Sequence, residues 1–135
     1  GLGSFLSGNR TIVLGGDAEF VMHLGGLTTA GRYGERQGSL IYIVFDNEAN
    51  KSTGGQRTYQ NHVDYAALAR AAGFRAHPTV ITGLTEFRTT INSLKQSEGL
   101  FFIHVKTSFD GDFPRPDRET IIDSKLALGR SSKAC

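Results

Sequence analysis

Four short apolar runs alternate with stretches of helical periodicity along this chain, and that alternation limits the fold more than any other feature. The runs cover residues 11–14, 40–45, 76–81 and 100–106. Strands separated by helix-length segments pair in parallel, with the crossover helices packed over both faces of the sheet. The expected architecture is α/β: three αβα layers around a mainly parallel sheet. Phe101-Phe102-Ile103-His104-Val105 is almost continuously apolar, as a strand covered on both faces requires.

The helical stretches are legible by spacing. Between the first two runs, residues 19–33 carry Phe20, Val21, Leu24, Leu27 and Thr28 at helical intervals, with Gly25-Gly26 in the middle. Each such glycine costs a helix about 1 kcal/mol relative to alanine, so the pair signals either close contact with a strand or a local kink. Residues 63–72 are alanine-rich, with Asn61 as a candidate N-cap and Gly73 as the stop. Leu84, Phe87, Ile91 and Leu94 recur on one face of a third helix. After Lys106 the composition turns to Gly, Pro, Asp and Arg. Residues 1–107 therefore read as the domain, and 108–135 as an extended tail with a short helix near 121–128.

With 135 residues and 39% apolar content, one core is the default. A net charge of +2 lacks the basic stripe of a nucleic-acid binder. No stretch approaches the ~20 apolar residues that span a bilayer, and Gly1 to Leu6 is too short and uncharged for a secretory signal. A membrane is therefore not an expected partner. Cys135 is the single cysteine, which excludes a disulfide framework within the chain and fits a reducing, cytoplasmic setting. Met22, the only methionine, lies inside a predicted helix, so the chain reads as a portion of something larger.

Two turns carry the candidate chemistry. Gly15-Gly16-Asp17 closes the first strand and Asp46-Asn47 closes the second. If these strands are parallel neighbours their ends lie ~5 Å apart, close enough for the Asp17 carboxylate and the Asn47 amide oxygen to share one cation. Oxygen ligands without nearby Cys or His suit Mg²⁺, which completes its shell with water and phosphate oxygens. The free N–H groups of Ala18 and Glu19, at the start of the following helix, favour an anion at the same place. The same dipeptides are also ordinary turn pairs. Residues 46–62 form the longest loop before the tail and contain Lys51-Ser52-Thr53-Gly54-Gly55-Gln56-Arg57, beyond the carboxyl ends of the strands, where ligands bind in open α/β sheets. A solvated polar loop would have a similar composition. His23, His62, His77 and His104 show no ligand spacing and read as structural, although His62 closes the candidate loop.

The run Gly16-Asp17, a crossover, then Asp46-Asn47 resembles the thiamine-diphosphate motif that begins Gly-Asp-Gly and ends Asn-Asn. Asp46-Asn47-Glu48-Ala49-Asn50-Lys51-Ser52-Thr53-Gly54-Gly55-Gln56, followed by Val63-Asp64-Tyr65-Ala66-Ala67-Leu68-Ala69-Arg70-Ala71-Ala72-Gly73-Phe74, is similar to the phosphonopyruvate and sulfopyruvate decarboxylase family over nearly the whole chain. The resemblance implies the diphosphate-binding domain of a 2-keto acid decarboxylase, truncated at its N-terminus. It implies Mg²⁺ on Asp17, Asn47 and the carbonyl of Ala49, and thiamine diphosphate against Gly16, Asp17, Ala18, Glu19 and Asn47. Thr53 and Gln56 are the implied catalytic groups, and Lys51, Ser52 and Arg57 the implied contacts to a phosphonate substrate. It also implies an oligomer, homomeric or heteromeric, in which a pyrimidine domain from another chain or segment completes the site, so that this chain alone is inactive. Ala18 in place of the third glycine, and Glu19 beside it, depart from the pattern. They motivate a second expectation, a noncatalytic α/β scaffold or interaction domain. A carboligase of the same cofactor family is a third.

Overall fold

A computed structural model of the chain describes residues 1–34 and 38–108, and beyond these only Glu119, Ile122, Asp123 and Leu126. The expected tail, with its short helix near 121–128, falls outside the described residues apart from those isolated positions.

The described elements are α1 (Leu2–Leu6), β1 (Arg10–Gly16), α2 (Asp17–Met22), α3 (Gly25–Gly31), β2 (Ser39–Asp46), β3 (Ala49–Asn50), β4 (Gln56–Arg57), α4 (Tyr65–Ala71), β5 (Arg75–Ala76), α5 (Leu84–Leu94) and β6 (Gly99–Lys106). Four strands form a parallel sheet in the order β1-β2-β6-β5. Alternate side chains of each strand face opposite layers. On one face Leu40, Val44, Leu100 and Phe102 pack against Phe5 of α1, Phe20 of α2, Leu27 and Ala30 of α3, and Tyr65 and Ala69 of α4. On the other, Ile41, Ile43, Ile103 and Val105 meet Phe87, Ile91 and Leu94 of α5. The expected three layers are therefore present. On the α5 face of β1, Ile12 and Leu14 stay largely exposed.

Three local expectations need correction. The single helix over 19–33 is two helices, parted at His23 and Leu24. Of the two readings of the glycine pair, the kink holds, since a Cβ on Gly25 would meet nothing within 4 Å. The third strand is not continuous over 76–81: Arg75–Ala76 pairs with β6, the chain leaves the sheet, and Ile81 returns as a lone bridge to Val105. Pro78 lies between the two contacts and has no N–H to give the ladder. The N-cap of α4 is Asp64, not Asn61, because the Asp64 carboxylate accepts the Ala67 N–H at 2.8 Å. Gly73 ends that helix with φ 93°, as expected.

Candidate functional site

The sheet brings the two turns together. β1 and β2 are parallel neighbours with Gly16 opposite Phe45, so Asp17 and the Asp46-Asn47 turn leave the same edge side by side. β6 pairs with the far side of β2, with Lys106 opposite Asp46. A cleft of about 440 Å³ opens there, lined by the stretch from Leu14 to Glu19, by Phe45, Asn47 and Ala49, and by Asn50, Lys51 and Ser52. Gly15 sits in its wall for a steric reason: a Cβ there would lie 2.8 Å from the Tyr42 hydroxyl.

Asp17 is buried, with 1% of its surface exposed, and its Oδ2 accepts a 2.7 Å hydrogen bond from the Thr58 hydroxyl. Asn47 Oδ1 accepts the Ala49 N–H at 3.0 Å, which leaves the amide oxygen a second lone pair. Gly16 is the N-cap of α2, and its N–H donates to Glu19 Oε2 at 3.4 Å. The Glu19 side chain thus curls back over the end of the helix. That helix has only six residues, so its dipole is weaker than that of a full crossover helix.

The turn after β2 is held from β6. Asp46 is nearly buried; its Oδ1 accepts the Glu48 N–H, and its Oδ2 lies 3.0 Å from both His104 Nε2 and Lys106 Nζ. Burial alone would raise the Asp46 pKa, but the hydrogen bonds from His104, Lys106 and the Glu48 amide outweigh it and hold the carboxyl at about 2. An ionised carboxylate only accepts, so His104 Nε2 carries the hydrogen. Lys106 Nζ also reaches Glu48 Oε1 at 2.6 Å. Burial works against its charge, yet Glu48 and Asp46 together raise the Lys106 pKa. Glu48 itself sits at φ 56°, a left-handed conformation that this set of bonds maintains. Burial, and then the charges of Asp46, Asp17 and Glu48, push the Tyr65 phenol up, so it stays protonated and donates to Gln60 Oε1 at 2.6 Å. Three carboxylates thus gather at one edge of the sheet.

The 46–62 loop is less irregular than its composition suggests. β3 and β4 form a short antiparallel hairpin, with Ala49 opposite Arg57 and Asn50 opposite Gln56. Gly54 and Gly55 close it at φ 140° and 78°, conformations that favour glycine. Of the expected site residues, Gly16, Asp17, Ala18, Glu19, Asn47, Ala49, Lys51 and Ser52 line the cleft, whereas Thr53, Gln56 and Arg57 do not. Thr53 Oγ1 donates to Gln56 Oε1 at 2.9 Å, and an Arg57 guanidinium nitrogen lies 3.8 Å from Glu48. Sequence reasoning missed Thr58, Lys106 and the pairing of His104 with Asp46. None of the three carries a local signal, since their partners are 41 to 60 residues away.

The donors lining the cleft fit a hard divalent cation. Among the described residues they are the carboxylates of Asp17 and Glu19, amide and carbonyl oxygens and the Ser52 hydroxyl, with no imidazole or thiolate. The cleft is also large enough for a phosphorylated small molecule.

The family described as thiamine pyrophosphate enzyme, C-terminal TPP binding domain, matches residues 2–105. A phosphonopyruvate decarboxylase of Streptomyces viridochromogenes is 36% identical over 106 residues, which cover 78% of this chain and 26% of that protein. The phosphonopyruvate decarboxylase of Streptomyces hygroscopicus is 35% identical over the same shares. Sulfopyruvate decarboxylase subunit beta of Methanothermobacter thermautotrophicus is 43% identical over 75 residues, 55% of this chain and 40% of the subunit. The chain spans about a quarter of the length of the two phosphonopyruvate decarboxylases it matches. A parallel sheet that presents Asp17 and Asn47 to one cleft, and a family match over more than two thirds of the sequence, have one consequence: the chain belongs to the C-terminal TPP-binding domain family of thiamine pyrophosphate enzymes.

Proposed function

We propose that this chain is the diphosphate-binding part of a thiamine-diphosphate-dependent 2-keto acid decarboxylase, most like one that converts phosphonopyruvate to phosphonoacetaldehyde and carbon dioxide. The observation that carries the proposal is the convergence of Asp17, Asn47 and Ala49 on one cleft at the carboxyl ends of neighbouring strands. In this reading the Asp17 carboxylate, the Asn47 amide oxygen and the Ala49 carbonyl hold Mg²⁺. The N–H groups of Ala18 and Glu19 meet the diphosphate, and Gly16 allows its close approach. The bound cofactor would supply the electron sink that decarboxylation of a 2-keto acid needs.

The chain's own residues bind and orient. Lys51 and Ser52, in the wall of the cleft, are proposed contacts to the substrate's anionic end. The exposed hairpin tip supplies the remaining polar contacts through Thr53, Gln56 and Arg57, the guanidinium being the better bidentate partner of a phosphonate. A pyrimidine domain from another chain or segment completes the site, and the working enzyme is a homo- or hetero-oligomer. A cytoplasmic setting accords with the single cysteine. Sulfopyruvate is the alternative substrate within this reading, and a carboligase is the alternative reaction.

A noncatalytic scaffold is favoured by one observation: the Glu19 carboxylate bonds the Gly16 N–H where the diphosphate would approach. Calorimetry on the native assembly separates the two readings. Mg²⁺-dependent thiamine diphosphate binding that Asp17→Ala abolishes supports the enzyme, and no binding at all supports the scaffold. Assay of aldehyde release from phosphonopyruvate and sulfopyruvate then tests the reaction. Release from neither, with cofactor bound, rejects the decarboxylase.

A further inference from the structure

Thr58 joins the two strand ends that carry the proposed cation ligands. It follows β4, and its two polar groups go to different turns. Its N–H donates to the Glu48 carbonyl at 3.0 Å, between Asn47 and Ala49, while its hydroxyl donates to Asp17 Oδ2 at 2.7 Å. The first bond fixes where the second can reach. Asp17 is 1% exposed, so little water is available to replace the hydroxyl if it is lost. An O–H to carboxylate bond of this length is charge-assisted, and the oxygen that accepts it becomes a poorer and more crowded metal ligand.

We propose that Thr58 sets the cation preference of the site by occupying one oxygen of Asp17, so that the carboxylate meets a cation through the other alone. The inference rests on the functional reading above, in which Asp17 is a cation ligand. Its physical basis is the difference between two ions. Mg²⁺ takes six oxygens at about 2.1 Å and binds few carboxylates, whereas Ca²⁺ takes six to eight at roughly 2.3–2.6 Å and readily accepts a carboxylate through both oxygens. A hydroxyl fixed on Oδ2 disfavours the second mode and costs the first nothing. Thr58 is thus a specificity-determining residue that acts through Asp17.

The test compares thiamine diphosphate affinity in Mg²⁺ and in Ca²⁺, by calorimetry on the native assembly, for the wild-type protein, Thr58→Val and Thr58→Ser. Thr58→Val keeps the shape and the backbone N–H and removes only the hydroxyl. The Mg²⁺-to-Ca²⁺ affinity ratio is expected to shift at least tenfold toward Ca²⁺ in Thr58→Val and to stay near the wild-type value in Thr58→Ser. An unchanged ratio in Thr58→Val overturns the proposal, including the case in which both affinities fall together, as a purely structural role would produce. Should Thr58→Val fail to fold, Thr58→Ala is judged on the same ratio. Failure of the functional reading looks different: the wild-type protein would bind the cofactor with neither ion, or Asp17→Ala would leave binding intact.

Discussion

The turn 46–49 and the hairpin tip 50–57 adjoin in sequence and are held in opposite ways. The turn is tied to distant chain: Asp46 to His104 and Lys106, and Glu48 to Lys106. In the tip, Ser52 donates to Asn50 Oδ1, Thr53 to Gln56, and the Gly55 N–H to the Asn50 carbonyl, all within seven residues. In the turn Asp46 and Ala49 are buried and Asn47 and Glu48 half-buried, whereas most of the tip is exposed. Groups fixed by packing and long-range bonds are preorganised, which a small cation with strict geometry needs. Groups held only by their neighbours open at low cost and can adapt to a substrate. The proposed metal ligands lie on the first kind of structure and most of the proposed substrate contacts on the second.

The sharpest way to break this contrast is Asp46→Ala, which leaves His104, Lys106 and the Glu48 amide without their shared acceptor. Losing a buried acceptor of charge-assisted hydrogen bonds costs about 3 kcal/mol, and chemical unfolding should show a loss of that size together with weakened cofactor binding. A loss as small as that of a tip variant would mean that the turn is no better anchored than the hairpin.

Acid provides a gentler probe of the same anchor. The Asp46 carboxyl is held at about 2, below the ordinary carboxylate value, so its contribution to stability is complete above about pH 4 and disappears as the pH falls toward 2. That contribution is roughly 2 kcal/mol. Urea midpoints of the metal-free protein should fall over this window, and Asp46→Asn should flatten that part of the profile. A profile unaltered by Asp46→Asn would assign the acid sensitivity elsewhere.

The smallest effect belongs to the tip. Thr53→Ala removes the exposed hydroxyl that reaches Gln56 Oε1 and the Asn50 carbonyl and should change stability by less than about 0.5 kcal/mol, with Mg²⁺-dependent cofactor affinity unchanged. In the proposed enzyme it should instead lower turnover of the 2-keto acid. A fall in cofactor affinity would show that the tip supports the cation site after all, and would merge the two regions into one.

Much of the fold was legible because its signals are local. The apolar run of β2 and the Leu84, Phe87, Ile91, Leu94 stripe of α5 state their own periods. Asp17 and Asn47 were legible as a pair because each closes an apolar run, and strands joined by a helical crossover tend to be parallel neighbours. The break at His23 and Leu24 and the pairing of Ala49 with Arg57 were not, because both depend on how the chain fits against surfaces it meets only when folded.

By itself, the sequence determined where β1, β2, β6, α4 and α5 form, that the sheet is parallel, and that two oxygen-bearing turns end neighbouring strands. Backbone propensity and hydrophobic period act over a few residues and need no tertiary contact. Only the tertiary structure decided that Thr58 would cap Asp17 and that His104 and Lys106 would hold Asp46. The last two exist because β6 lies beside β2, bringing residues 58 to 60 apart to one edge, and the first because the neighbouring ends of β1 and β2 bring Asp17 within reach of the residue that follows the β3–β4 hairpin, a placement set by the burial of both faces of the sheet at once.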